Sequence, residues 1–315
     1  MTRPKMVITG GRGFLGSHLV DRFRDCYRIV VVDSLTRDAR DGQGADGTEV
    51  VIGDIRDQAL LERSFADAEV VVHLAAIAGV SNYDRKPVDV LRVNLLGTVA
   101  VIDAVIAARV PRLIDVSTSE VYGPEATEAS ELTSPLVSGP VSERRWTYAV
   151  SKLAGEHFVL RHGEAHGFAA TCIRPFNIYG PRQVGEGAIS NFARAVAKGE
   201  PLTVEGDGDD LRAWCYVDDF VAAVVLILEK DVGGHVFNVG TPEARCTTRE
   251  LAERMIRIAG AGSIRNAPAP RTSIRRRIPN IDLATRLLGY RPKVGLDDGL
   301  RLTIEWFHGG RAKVG

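Results

Sequence analysis

Residues 28–33 read RIVVVD, four apolar residues that close on a carboxylate. Runs of the same kind recur as MVITG (6–10), TEVVIGD (48–54), AEVVVHLAA (68–76) and RLIDVS (112–117). They do not alternate apolar with polar, so they are not strands with one wet face. Near-continuous Val/Ile runs belong to strands covered on both sides, which is how a parallel sheet reads. Helical patterns lie between them, from about residue 13 and over about 88–108. The alternation predicts an α/β fold with a doubly wound parallel sheet of the Rossmann type.

The second half is more mixed. Helices are predicted over about 147–167, 188–198, 219–230, 247–259 and 297–307, with a strand AATCIRP (169–175) and shorter ones in PLTVEG and HVFNVG. This suggests a dinucleotide-binding domain over about 1–175 that also receives segments of about 202–240. A smaller C-terminal α/β substrate-binding subdomain, mainly 176–315, follows. Residues 40–47 read as a solvated connection rich in Gly and Asp. Residues 124–143, acidic and rich in Ser and Pro, read as a long loop of the kind that serves as a lid. The tail after residue 308 is expected to fray.

Acidic and basic residues balance at 40 each, so charge gives no argument for nucleic acid or a membrane surface as partner. No apolar run is expected to reach the ~18 to 20 residues of a membrane span, and no signal peptide is read at the start. Four scattered cysteines (26, 172, 215, 246) show neither a metal pattern nor a disulfide framework, which points to a reducing, cytoplasmic setting. His162 and His166 share a helix face but lack a nearby third ligand, so no metal is expected.

TGGRGFLG (9–16) leaves a strand and enters a helix. Gly11, Gly13 and Gly16 fit one dinucleotide pattern, and Gly10, Gly13 and Gly16 fit a related one. The glycines permit a tight turn and close approach to a pyrophosphate on the helix N-terminus, with Phe14 and Leu15 inside the same turn. Asp33 ends the next strand, seventeen residues after Gly16, where a ribose-binding acid belongs. That acid favours NAD, while Arg37 leaves an opening for NADP. Asp54 is assigned to the adenine amino group and Ile55 to the ring; capping the following helix is the alternative for Asp54. Leu74, Ala75 and Ala76 leave room for the cofactor, and His73 is read as a core or strand-end histidine.

YAVSK (148–152) places Tyr148 and Lys152 on one helix face. Lys152, together with a cationic nicotinamide, is expected to lower the phenol's pKa so that Tyr148 takes a proton from a sugar or alcohol hydroxyl. Ser117 and Thr118, at a strand end, supply hydroxyls for the substrate oxygen. Glu120 follows them at the mouth of the same crevice.

With these motifs, NLLGT (94–98), RPFNIYGPR (174–182), GDGDDLRAWCYVDD (206–219) and VFNVG (236–240) in order, the chain resembles the NAD-dependent epimerase/dehydratase family of nucleotide-sugar enzymes, an extended short-chain dehydrogenase/reductase group. The resemblance covers about residues 5–307. It implies that Asn94 lies by the active site, Asn177 holds the substrate diphosphate, and Arg182 and Arg212 bind the substrate. For Arg212 a surface ion pair with the acidic run 207–210 is the alternative. It also implies a homodimer through the helices near 88–108 and 147–167.

GPVSERRWTYAVSK (139–152), IRRRIPNI (274–281) and NYDRKP (82–87) resemble UDP-glucuronate decarboxylases. The likeness implies Tyr83 near the substrate and Arg277 acting with Glu120 at C5. For 275–277 a solvated basic turn is the alternative, and for Glu120 a structural role at a helix end. A nucleotide-sugar 4-epimerase and a 4,6-dehydratase are the competing reactions. A silent NAD-binding regulator would be expected to have lost Tyr148 or Lys152, and both are present.

Overall fold

The computed structural model describes residues 3–40, 47–183, 185–269 and 274–309. The expected connection at 40–47 and the tail after 308 therefore fall almost wholly outside the described residues.

The chain divides into two units. The first comprises Met1–Val121, Ser138–Arg174 and Val224–Phe237; the second comprises Tyr122–Val137, Pro175–Ala223 and Asn238–Gly315. The sequence reading placed about 202–240 with the first unit. In the structure the returning segment is the shorter Val224–Phe237, and Tyr122–Val137 belongs to the second unit.

The main sheet has seven strands in the order His235–Val239, Ala169–Pro175, Arg112–Val116, Ala68–His73, Lys5–Thr9, Arg28–Asp33, Glu49–Ile52. Each neighbouring pair from Ala169–Pro175 to Glu49–Ile52 is parallel. The runs of the four strands Lys5–Thr9, Arg28–Asp33, Ala68–His73 and Arg112–Val116 are buried along most of their length, as their lack of alternation predicts. The run in Glu49–Ile52 departs from that expectation, because this strand lies at the sheet edge with Val50 and Ile52 exposed. Register brings the functional ends together. Thr9 lies opposite Val32 and His73, His73 opposite Asp115, and Asp115 opposite Cys172. Strand order reverses on either side of Lys5–Thr9, and such a switch point opens a crevice at the strands' carboxyl ends.

Helices Gln58–Phe65, Gly97–Ala107 and Trp146–His166 pack on the sheet around a core that includes Val7, Val71, Phe65, Val101, Leu113 and Val159. The helix predicted over 88–108 is a continuous stretch with one wide turn, Arg92–Leu96, whose backbone bonds reach one residue further than in an α-helix. Such turns occur at functional sites, and this one carries Asn94. Contrary to the sequence reading, Pro87–Ala107 is long and apolar enough to cross a membrane by length and composition. Its charged residues number only Asp89, Arg92 and Asp103. It packs against Trp146–His166, and its Gly97–Ala107 part against Gln58–Phe65, so core packing accounts for the apolar residues of Gly97–Ala107, while Val88, Leu91 and Leu96 are exposed.

The second unit holds a four-stranded sheet in the order Arg245–Thr247, Leu211–Ala213, Arg276–Pro279, Glu125–Ala129. Part of the expected lid is therefore a strand. Only Ala126 and Ala129 of Glu125–Ala129 are buried, too few and too small to print an apolar pattern. Helices Ala188–Lys198, Thr248–Ala259 and Leu296–His308 pack on one another. Thr247 and Glu250 form a reciprocal cap at the start of the second of these.

Candidate active site

The cofactor side is built from backbone. Gly10 has φ +73°, and a Cβ there would lie 2.7 Å from the Ala75 nitrogen. A Cβ on Gly16 would collide with the Gly10 carbonyl oxygen, whereas Gly13 has only that oxygen near it, at 3.3 Å. The turn thus closes against itself and against residues 74–76, and the N-terminus of Phe14–Phe23 follows Gly13. Leu74 N–H donates to the Thr9 carbonyl, which ties that segment to the first strand.

Asp33 is buried, and both its oxygens accept backbone N–H groups, from Arg12 at 2.9 Å and from Leu35 at 2.8 Å. Burial raises its pKa, and the two N–H donors oppose the rise. Arg37 is exposed, and Arg12 forks onto Asp38. This cradle of glycines closed by a carboxylate suits a dinucleotide with a free ribose hydroxyl.

Asp54 accepts from the Arg56 backbone and guanidinium, and those bonds hold its carboxyl below the usual range. The cap of Gln58–Phe65 is Asp57, not Asp54. Ile55 departs from expectation. It is buried in the core, where a Cβ on Gly97 would press on its Cδ1, so its side chain is engaged in packing.

His73 is fully engaged. Thr98 Oγ1 donates to the Asn94 carbonyl, so it accepts from His73 Nε2, and Nδ1 then accepts from Thr9 Oγ1 at 2.6 Å. Burial, then the nearby Lys152 charge, drive its pKa well down, and it stays neutral. Asn94 is buried and grips the backbone of Ile77 with both ends of its amide, so it fixes the segment after Leu74–Ala76.

The catalytic side is built from side chains. Tyr148 and Lys152 project from Trp146–His166, a helix that ends on Gly167 in the left-handed conformation. The Thr118 side chain acts on the Tyr148 phenol and lowers its pKa, and its Oγ1 accepts from Glu120 N–H at 3.1 Å. The expected depression of the phenol's pKa is not found among this chain's own groups. Burial, then the charges of Glu120 and Asp115, raise it, and only Thr118 opposes them. Lys152, expected to oppose that rise, instead has its Nζ 3.3 Å from Asp115 Oδ1, in an ion pair almost wholly out of water.

Ser117 is also corrected. Its hydroxyl donates to Glu156, which is paired at 2.6 Å with buried Arg174. It locks strand to helix and is not presented to a ligand. Tyr83 is buried and stacked on Tyr148, with ring centroids 5.0 Å apart and planes within 10°. Glu120 Oε1 lies 3.7 Å from Arg145, while Glu120 Oε2 and Arg145 Nε are buried without a partner among the described residues. Arg145 was missed by sequence reading, although it stands three residues before Tyr148 in the stretch already singled out.

In the second unit Arg277 is buried in the strand Arg276–Pro279, donates to the Gly123 carbonyl at 2.8 Å, and lies opposite Arg212. The solvated-turn alternative therefore fails for Arg277, but it describes Arg275, which is exposed and paired with Asp207 and Asp210. Arg212 makes the ion pair with Asp210 that was its alternative role. Asn177 donates to the Ala213 carbonyl. Asn177 and Arg182 both hold positive φ, 44° and 67°, a strained conformation for side-chain-bearing residues.

A crevice with a glycine cradle, a ribose-type acid and a Tyr–Lys–Thr group defines the architecture of a dinucleotide-dependent enzyme. The chain belongs to the NAD dependent epimerase/dehydratase family, whose model matches residues 6–240. NAD is its cofactor. It is 30% identical to a UDP-N-acetyl-alpha-D-glucosaminuronate decarboxylase of Bacillus cytotoxicus, over 97% of this chain and 98% of that one. It is 33% identical to UDP-glucuronic acid decarboxylase 1 of Xenopus tropicalis, over 97% of this chain and 72% of that one. Among solved structures it resembles the UDP-glucose 4-epimerase of Thermus thermophilus in complex with NAD. That match has a TM-score of 0.87 and 32% identity, over 98% of this chain and 100% of that one.

Proposed function

We propose that the chain decarboxylates a nucleotide-linked uronate, with UDP-glucuronate as the substrate, through a 4-keto intermediate. The product is a UDP-4-keto-pentose, with the hydride left on the cofactor, or UDP-xylose, for which that hydride would return to C4, or both. The observation that carries this reading is Glu120 with Arg145. A carboxylate and a guanidinium, each with a buried atom left unengaged, stand beside Tyr148 and Thr118. Moving hydride at one carbon needs the tyrosine and the hydroxyl alone. The extra charged pair suits chemistry at a neighbouring carbon that bears a carboxylate. The names of the two decarboxylase relatives support the same reading.

Gly10, Gly13, Phe14, Leu15, Gly16, Asp33, Asp54 and residues 74–76 would hold NAD, which supplies the hydride acceptor for C4. Tyr148 takes the proton from O4 as that carbon is oxidised. The resulting β-keto acid loses CO₂ because the electrons of the breaking C5–C6 bond flow toward the ketone. Thr118 and Tyr148 hydrogen-bond the enolate oxygen so formed. Glu120 then manages the proton delivered to C5. Arg277, Arg212, Arg182 and Asn177 are assigned to the substrate, with Arg277 guiding its carboxylate and the others its diphosphate. We place the reaction in the cytoplasm, in keeping with four free cysteines. We assign a homodimer to the apolar residues exposed along two helical segments, Val88, Leu91 and Leu96 on one and Val150 and Phe158 on the other.

The second reading is a nucleotide-sugar 4-epimerase, favoured by the likeness to the Thermus thermophilus enzyme. Incubation with UDP-glucuronate and NAD, followed by mass spectrometry, separates the two. Loss of CO₂ supports the decarboxylase. A product of unchanged mass that separates from substrate establishes a uronate epimerase instead. Without turnover, neutral nucleotide sugars are tried next, where loss of water marks a dehydratase.

A further inference from the structure

Asp115 has no part in the chemistry above, yet it is the most deeply buried carboxylate of the catalytic wall, with no exposed surface. The groups around it come from four elements. His73, opposite it on one neighbouring strand, has both ring nitrogens engaged. Cys172, opposite it on the other, is a buried thiol. Trp146–His166 contributes Lys152, Tyr148 and Glu156, and Glu156 is already held by Arg174 and Ser117. Glu120 follows on the chain as the strand runs out. Asp115 Oδ1 pairs with Lys152, and Oδ2 has no partner among the described residues.

We infer that Asp115 is a positioning residue for the reaction: its carboxylate anchors the Lys152 ammonium and opposes that ammonium's pull on the Tyr148 phenol. The inference rests on the assignment of Tyr148 as the acid–base group. A lysine on this helix, left alone, would favour the phenolate. A carboxylate 3.3 Å from its nitrogen cancels much of that field and fixes where the ammonium sits. Burial raises the Asp115 pKa and Lys152 opposes only part of that rise, so the carboxylate's charge depends on the ammonium beside it.

The test reads the phenol directly, with NAD-loaded protein. Tyrosinate absorbance is titrated for wild type, Asp115→Asn and Asp115→Leu, each minus its Tyr148→Phe counterpart. Removing the carboxylate is expected to lower the Tyr148 midpoint by about one pH unit. The acid limb of the kcat–pH profile should move down with it, and Asp115→Glu should restore both. A midpoint that stays put or rises overturns the inference, even if stability falls. Should neither neutral variant fold, the ¹³C resonance of the Asp115 carboxyl in wild type decides. A carboxylate through the neutral range supports the pairing, and a protonated acid overturns it. The underlying assignment fails separately, by Tyr148→Phe retaining turnover, while the titration still reports on Asp115.

Discussion

Two strand ends of the first unit treat buried carboxylates in opposite ways. At the end of Arg28–Asp33, each Asp33 oxygen accepts a backbone N–H, which leaves further lone pairs for a ligand hydroxyl. At the end of Arg112–Val116, Asp115 and Glu120 each keep an oxygen without a partner among the described residues. Backbone donors cannot move or change charge, so the first arrangement holds one ligand shape. Side-chain pairs respond to whatever arrives, so the second can pass protons. An unengaged buried oxygen costs roughly 1–3 kcal/mol, and the fold keeps two of them on one wall.

The comparison breaks most visibly at Tyr148. Tyr148→Phe is expected to lower kcat by about 10²- to 10⁴-fold, with NAD affinity and melting temperature near wild type. A large loss of NAD affinity would mean that the two walls are not separate. Glu120→Gln is the next step down. It should slow CO₂ release about 100-fold while C4 oxidation, read as NADH absorbance, continues. Full CO₂ release in that variant would sink the role assigned to Glu120.

The cofactor wall was legible from sequence because its logic is local. A strand, a glycine turn, a helix and an acid follow one another within 33 residues. Tyr148, Lys152 and Thr118 were legible as residue types, and the helix carrying the first two was placed within a residue of its bounds. Their electrostatics were not. The Asp115–Lys152 pair joins residues 37 apart, and the pairing depends on which way a strand residue faces inside a sheet. Ser117 was misread for the same reason: its partner Glu156 lies 39 residues away. The strand Glu125–Ala129 was hidden because its two buried residues are alanines.

His73 sharpens the contrast through pH. Its unfolded pKa is near 6.5 and its folded pKa lies well below that. Between those values the unfolded chain binds the extra proton, so stability is fully present above about pH 6.5 and falls as pH drops. The slope from this group approaches about 1.4 kcal/mol per pH unit at most. Urea midpoints measured from neutral to mildly acid pH should fall more steeply for wild type than for His73→Gln. Equal slopes would mean that burial and the Lys152 charge do not hold His73 neutral.

The smallest expected effect falls on Asp33. Asp33→Asn keeps one carbonyl oxygen for a backbone N–H but turns the other acceptor into a donor, facing the Arg12 or Leu35 nitrogen. NAD affinity should weaken about tenfold, equivalent to about 1.4 kcal/mol, because the neutral amide is a weaker acceptor for a ribose hydroxyl. Isothermal titration with NAD measures that loss. The kcat–pH profile at saturating NAD should remain where it was, since no titrating group of the catalytic wall touches Asp33. A shifted profile would show that charge on the cofactor wall reaches Tyr148. The separation between a wall that only binds and a wall that only reacts would then have to be given up.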